Sequence, residues 1–453
     1  MNASWKSRVG VTPAGGASPA PTTEKSAHST LGSVTRRLTP CVAVFAFAAI
    51  CFFCAGGRLN SSSLSLQNRA NVEPRCGGFE ALLQRVAEAG NAAAKANLVD
   101  EFVACVKEKD GPLMEPGTRD GFGRAIFLYR GGASLVALAG DVNGWVPNLA
   151  FARVSGTDLF FLSQEYELDA RLDYNFVLND KQWIFDAFNS RKISDGTATN
   201  SYFTMPGYAV PPELEDTPSM RHGTIENFPI GSRIAGAEIA AKIYLPADYN
   251  GSKERYKTLY VVDGLKYLEF GKINEIVDGM IQRNEIPPIL MVLLGPMAPG
   301  PASAQPVDYP SVIQTEIVPA VEAKYRTRTD AASRGVLGES SGGLIAIGLA
   351  GRFSDAFGRC AAQSTTFAAD TNFESLVGME KSDVRIHMDV GTYETSVGKA
   401  DVLAENRRLR DFLVSKGFAV EYREVHEGHN WGNWPSRIPE VLSYFWSLPR
   451  KRK

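Results

Sequence analysis

The stretch Arg334-Gly335-Val336-Leu337-Gly338-Glu339-Ser340-Ser341-Gly342-Gly343-Leu344 decides how this chain is read. Arg334 to Leu337 predicts a short strand, and Leu344 to Ala350 predicts an apolar helix. The G-x-S-x-G pattern, found once in the sequence, therefore falls on a strand-turn-helix junction. Glycines on both sides relieve crowding around a strained, exposed Ser340. The competing reading is a glycine-rich helix N-terminus that binds an anion. The preceding strand and the apolar helix favour a nucleophile elbow.

Outward from this junction, strands and helices alternate. Ala237 to Leu245, Thr258 to Val262 and Ile289 to Leu294 predict strands, the last uniformly apolar as a doubly covered strand must be. Leu268 to Arg283 and Val312 to Tyr325 predict helices, and Val384–Val390, Leu403–Leu413, Val420–Val425 and Ile438–Trp446 repeat the rhythm. Such alternation implies a mostly parallel sheet with helices on both faces, over residues 230–449.

A serine hydroxyl needs a base, and the base needs an orienting acid. Only His387, His426 and His429 follow Ser340. His387 falls mid-strand and reads as structural. His426 ends the last predicted strand, and His429 lies on the loop beyond it, where a parallel sheet places chemistry. His429 is the expected base, with His426 second. Glu394 follows the strand Val384–Val390 and is the expected acid; Asp389 and Asp401 compete with it. The developing oxyanion requires backbone donors, expected from Ser341 and from Leu265 in Val261-Val262-Asp263-Gly264-Leu265.

The first half reads differently. Residues 78–117 carry helical spacing, with a break at Gly90-Asn91. Residues 118–206 switch to period two, with short runs such as Ala125–Tyr129, Leu135–Ala139 and Tyr174–Leu178 separated by Gly, Asn and Asp clusters. This indicates an all-β sandwich. Trp145 and Trp183 read first as buried sandwich residues, with a sugar-stacking face as the alternative. Residues 207–229, where Pro211, Pro212 and Pro218 follow Pro206 without periodicity, read as a linker.

Before these elements, residues 1–57 combine a Ser/Thr/Pro-rich stretch with Arg36-Arg37 and an apolar run from Cys41 to Ala55. Fifteen residues are short for a membrane span and fit a secretory signal, with an uncleaved anchor as the competitor. Residues 58–77 read as a linker. The 453 residues carry 48 basic and 50 acidic side chains. Subtracting the five basic and one acidic residue of 1–57 leaves 43 and 49, a distinctly acidic chain. Nothing here predicts nucleic-acid binding, which needs a basic footprint. Cys76 and Cys105 flank the helical pair and are able to bridge in an oxidising compartment, whereas Cys360 reads as a buried apolar residue.

At these motifs the second half resembles the enterochelin esterase and esterase D branch of the α/β-hydrolases. The matching residues are Tyr260-Val261-Val262-Asp263-Gly264, Gly338 to Gly343, Gly391 to Glu394, and Gly428-His429-Asn430-Trp431 with Trp434. The resemblance implies Ser340 as nucleophile, Glu394 as acid, His429 as base, Leu265 and Ser341 as oxyanion donors, and Asp263, Trp431 and Trp434 near the substrate. Feruloyl and acetyl-xylan esterases and mycolyltransferases share this architecture. Ala139 to Trp145 and Tyr174 to Asp186 resemble early-set, glycogen-binding-like modules, a resemblance that implies immunoglobulin-like topology and glycan contact. One departure stands out: siderophore-cleaving members carry R-x-x-E-[LY] where this chain reads Gln305-Pro306-Val307-Asp308-Tyr309, without the arginine that would pair an anionic catecholate.

The pattern predicts an exported serine hydrolase acting on a small-molecule or polysaccharide ester, touching a membrane only if its leader is uncleaved. Acyl transfer on the same fold and glycan binding by an inert hydrolase are the alternatives. No HExxH, Walker A or G-x-G-x-x-G motif points to a metal or nucleotide cofactor.

Overall fold

The computed structural model describes residues 77–107, 110–194, 198–214, 220–296, 307–368, 371–378, 383–398 and 400–449. The apolar leader, Cys76 and Gln305-Pro306 lie outside these residues. Cys105 is disulfide-bonded, and Cys360 is free and buried.

Two helices, Phe79–Glu88 and Ala92–Lys107, open the described chain. They break at Gly90-Asn91, where the Asn91 side chain accepts from the Ala94 amide at 2.9 Å, as an N-cap does. Their apolar stripe, including Phe79, Leu82, Val99, Phe102 and Val106, packs on Ile126, Leu128 and Leu159 of the following sheet.

That sheet runs Leu113–Pro116, Phe122–Arg130, Leu159–Glu167, Ala152–Arg153. A second sheet, centred on Val136–Gly140, Arg171–Leu178 and Thr199–Thr204, faces it. Ala125, Phe127, Phe160, Leu138, Phe176 and Phe203 fill the space between. Alternate residues of one strand thus serve two cores: Phe127 points into the sandwich and Ile126 and Leu128 to the helices. This is why Phe122–Arg130 carries an unbroken apolar run. Leu113–Pro116 pairs antiparallel with this strand, so the range 78–117 read as helical ends in a strand. Its flanking prolines suit an edge position. Trp183 is 49% exposed, not a core residue, and Trp145 is half-buried, its indole N–H donating to Asp141.

The second half forms an α/β-hydrolase sheet of eight strands: β1 (Thr224–Asn227), β2 (Ala241–Leu245), β3 (Lys257–Val261), β4 (Ile289–Leu294), β5 (Arg334–Glu339), β6 (Arg359–Gln363), β7 (Arg385–Gly391) and β8 (Ala419–Val425). Their order is β1-β2-β4-β3-β5-β6-β7-β8. β2 is antiparallel to both its neighbours and all the other pairings are parallel. Every residue of β4 is buried, and burial of such Leu, Ile and Val side chains stabilises the fold by roughly 1.5–3 kcal/mol each. β1 lies inside the range 207–229 read as linker. It is an exposed edge strand, and so has no apolar period to reveal it. β6 offers only Cys360, Ala361 and Ala362 as apolar residues, packed closely by the helix Ser341–Arg352. Small side chains hid a central strand.

The register aligns the carboxyl ends. Val261 lies opposite Leu337, Glu339 opposite Gln363, Gln363 opposite Asp389, and Gly391 opposite Val425. The segments following β3, β5, β6, β7 and β8 therefore open on one edge of the sheet, the edge at which such sheets bind ligands.

Candidate active site

Ser340 sits between β5 and the helix Ser341–Arg352 with φ 53° and ψ −123°, a conformation that costs a non-glycine residue of order 1–3 kcal/mol. The backbone holds it there. Its amide donates to the Gln363 carbonyl at 2.9 Å, and its carbonyl accepts from Gly343 and Thr366, both at 3.1 Å. A Cβ on Gly338 would lie 2.3 Å from the Gly342 carbonyl oxygen, and one on Gly343 2.6 Å from Thr365 Oγ1. Close approach therefore requires glycine at Gly338 and favours it at Gly343.

The loop after β8 brings His429 Nε2 to 3.1 Å from Ser340 Oγ. The loop after β7 brings Glu394 Oε2 to 2.8 Å from His429 Nδ1. A carboxylate at Nδ1 places the imidazole proton there, leaving the Nε2 lone pair for the serine hydroxyl. Glu394 has no exposed side-chain surface, whereas His429 keeps 15%.

Glu394 is held by a network that includes Ser364 and Arg437, which the sequence did not single out. Glu394 Oε1 accepts from the Gly391 amide and from the Ser364 hydroxyl, both at 2.7 Å. Ser364 Oγ in turn accepts from Trp434 Nε1 at 3.0 Å and Arg437 Nη1 at 3.2 Å. Arg437 also donates to Asp389 at 2.9 Å and to Glu427 at 2.7 Å. Burial alone would lower its pKa, but Glu427, Asp389 and Glu394 outweigh that and raise it. Arg437 is thus a fixed buried cation beneath Glu394.

The Leu265 amide, in the first turn of the helix Gly264–Glu269, and the Ser341 amide, opening the helix after the elbow, belong to first turns whose N–H groups lack intrahelical acceptors. Gly264 admits the adjoining strand: a Cβ there would lie 2.6 Å from Leu293 Cα. Beside the elbow, the buried Glu339 has its pKa raised well above the ordinary value, first by burial and then by Asp263.

Residues 232–445 match a family model described as putative esterase. This stretch is similar to that family. The chain is also 24% identical over 238 residues to the uncharacterized protein YjcH of Bacillus subtilis, covering 49% of this chain and 97% of that one. It is 26% identical over 176 residues to an endo-1,4-beta-xylanase/feruloyl esterase of Xylanibacter ruminicola, covering 34% of this chain and 24% of that one. Among solved structures, the ferric enterobactin esterase of Salmonella typhimurium matches with a TM-score of 0.59 at 20% identity, over 74% of this chain and 96% of that one. The enterobactin esterase of Shigella flexneri matches at 0.58 and 17%, over 76% and 98%. These likenesses establish the fold.

Within the esterase domain, the rival candidates are engaged elsewhere. His387 is buried on β7 beside Asp389, its ring against Tyr444. His426 Nδ1 lies 2.6 Å from Asp169. Asp401 caps the helix Val402–Ser415, and Asp389 binds Arg437. Trp431 and Trp434, expected near substrate, are both buried. Trp434 meets the His429 ring edge-on at 5.0 Å, and Trp431 packs on Trp434, Tyr267 and Phe270. They brace the His429 ring from behind. Asp263 is half-buried with φ 53° at the end of β3. A separate cavity of about 390 Å³, lined by Tyr244, Asp248, Asp278 and Leu448 among others, shares no residue with this site. Among the described residues, no cluster of three or more His, Cys, Asp or Glu is placed to hold a metal, and no helix is long and apolar enough to cross a membrane.

Proposed function

We propose that the chain hydrolyses a carboxylic ester through an acyl-enzyme on Ser340. His429 takes the Ser340 proton as Oγ bonds to the ester carbonyl carbon, and Glu394 stabilises the resulting imidazolium. The Leu265 and Ser341 amides receive the oxyanion. Collapse breaks the bond to the alcohol oxygen, which leaves with the proton from His429; water then repeats the sequence on the acyl group. The observation that carries this reading is the continuous relay Ser340–His429–Glu394, with contacts of 3.1 and 2.8 Å. Incubation with a fluorophosphonate and with short p-nitrophenyl esters tests it. Ser340→Ala is expected to lose both labelling and turnover, and retained labelling in that variant overturns the assignment.

For the substrate we favour a polysaccharide-linked acyl ester such as a feruloyl group. The esterase of Xylanibacter ruminicola bears a feruloyl activity in its name, and the arginine suited to a catecholate is missing from the stretch 305–309. A panel of feruloylated and acetylated xylan, a tricatecholate siderophore and aryl esters separates these classes. Preferred turnover of the siderophore would reverse the choice. Export through residues 1–57 is part of the same proposal. It is supported by the charged-then-apolar leader and by the disulfide at Cys105, a bond typical of oxidising compartments. Recovery of the untruncated chain from the cytosolic fraction would contradict it.

A further inference from the structure

The loop that carries His429 is not supported by the esterase domain alone. The Arg171 amide donates to the His426 carbonyl at 3.1 Å, and Arg171 Nη1 donates to Asn433 Oδ1 at 2.6 Å. Asn433 Nδ2 closes the loop on the Gly428 carbonyl at 3.0 Å. From the other side, Asn430 Nδ2 donates to Asp141 Oδ2 at 2.9 Å. Arg171 and Asp141 belong to the sandwich, more than 250 residues earlier in the chain. Both are buried, as are Asp173, Asn430 and Asn433.

The sandwich side is itself tied together. Arg171 Nη1 pairs with Asp173 Oδ1 at 2.9 Å, and the Asp173 amide donates to Asp141 Oδ2 at 2.9 Å. Trp145 Nε1 donates to the other Asp141 oxygen at 3.3 Å. Burial, and next Asp173, raise the Asp141 pKa, which suits a carboxylate removed from water beside another.

Two glycines of the His429 loop are explained by this contact. A Cβ on Gly428 would lie 2.1 Å from Asp141 Cγ, and one on Gly432 2.3 Å from Arg171 Nη2. The acid's loop is gripped too: the Tyr393 hydroxyl donates to Glu167, and its ring meets that of Tyr166 at 6.3 Å. The residues adjoining Glu394 and His429 thus both touch the sandwich.

We propose that Arg171 and Asp141 are positioning residues for His429, so that the sandwich completes the acid–base pair of the esterase. The inference rests on the catalytic reading of Ser340, His429 and Glu394. Neither residue contacts Ser340; each acts through Asn433 or Asn430. A displacement of about 1 Å at the base is enough to cost on the order of a hundredfold in rate, whereas substrate contacts elsewhere are untouched.

The test compares Asn430→Ala, Asp141→Ala and the double variant in the full chain, with folding checked by circular dichroism. Each single variant is expected to lose roughly tenfold to a hundredfold in kcat with KM within about twofold. The double is expected to be little worse than Asp141→Ala alone, because Asn430→Ala removes a hydrogen bond that Asp141→Ala has already lost. In a Ser340→Ala background, the downfield proton resonance of the imidazole N–H shared with Glu394 is expected to broaden or vanish on adding Asn430→Ala. Unchanged kcat in folded variants with only the melting temperature lowered, or an unchanged resonance, overturns the proposal. A wild-type chain that neither turns over esters nor labels with fluorophosphonate defeats the esterase reading alone, and the resonance still decides the positioning. Should Asp141→Ala fail to fold, Asn430→Ala carries the test.

Discussion

The Ser364 hydroxyl donates to Glu394 at 2.7 Å while accepting from Trp434 and Arg437. One buried side chain therefore connects Glu394 to the helix Trp434–Trp446 that packs behind His429. Ser364→Ala removes a donor from a carboxylate without exposed surface and leaves the Trp434 indole N–H without that acceptor. Such orphaned groups cost about 1–3 kcal/mol. A melting temperature lowered accordingly, with kcat reduced by about tenfold, is the expected outcome in thermal denaturation and aryl-ester kinetics. Wild-type values for both would show that Glu394 is held well enough by Gly391 alone.

Glu394→Gln keeps the shape of the acid but offers an amide in place of the carboxylate at His429 Nδ1. The imidazole then loses the partner that fixes its tautomer and stabilises its cation. A loss in kcat on the order of a thousandfold or more is expected, with KM little changed, by analogy with the general behaviour of such triads. Glu394→Asp shortens the reach by one methylene and is expected to fall between. Steady-state kinetics on one aryl ester orders the three enzymes, and an order with Asp below Gln would contradict the role given to charge.

How much of this was legible in the sequence depends on whether a residue's partners are local. Ser340, Glu394 and His429 each end or follow a strand, and chain order alone brought them to one edge. Ser364 follows β6, whose Cys360-Ala361-Ala362 core gives no strand signal. Arg437 lies inside a helix and meets Ser364 only across 73 residues. Trp431 and Trp434 carry a motif suggestive of substrate contact, yet the sequence has no term for which face of the loop is solvated; both are buried behind His429. The grip of Arg171 on Asn433 spans 262 residues. It left only an indirect trace, the glycines of Gly428-His429-Asn430-Trp431-Gly432.

The elbow offers a sharper structural test. Gly338→Ala would place a Cβ 2.3 Å from the Gly342 backbone oxygen, a contact that no side-chain adjustment relieves. The helix must shift, carrying Ser341 and its amide with it. Destabilisation of roughly 1–3 kcal/mol, the usual cost of overpacking, and loss of fluorophosphonate labelling in the surviving folded fraction are expected. Gly132→Ala, where nothing lies within 4 Å, serves as the matched control. It is expected to stay within about 0.5 kcal/mol of wild type. Equal effects at the two positions would show that glycine content, not the close approach, sets the outcome.

Glu339 provides the pH dependence. Burial, reinforced by the charge of Asp263, raises its pKa well above the ordinary 4.5, and one of its oxygens, Oε2, has no hydrogen-bond partner. The folded state therefore holds this proton more tightly than the unfolded state does. Stability from Glu339 is greatest below the unfolded pKa and declines as pH rises from there toward the folded pKa. Glu339→Gln substitutes a neutral group of the same shape and removes that decline. Its melting temperature is expected to gain on wild type as pH rises above 4.5, the ordinary carboxyl value, with fluorophosphonate labelling retained because the amide sits where a neutral acid did. A difference in melting temperature that stays constant over that rise would mean that Glu339 titrates alike in the folded and unfolded chains. Its burial beside Ser340 would then impose no electrostatic cost on the elbow.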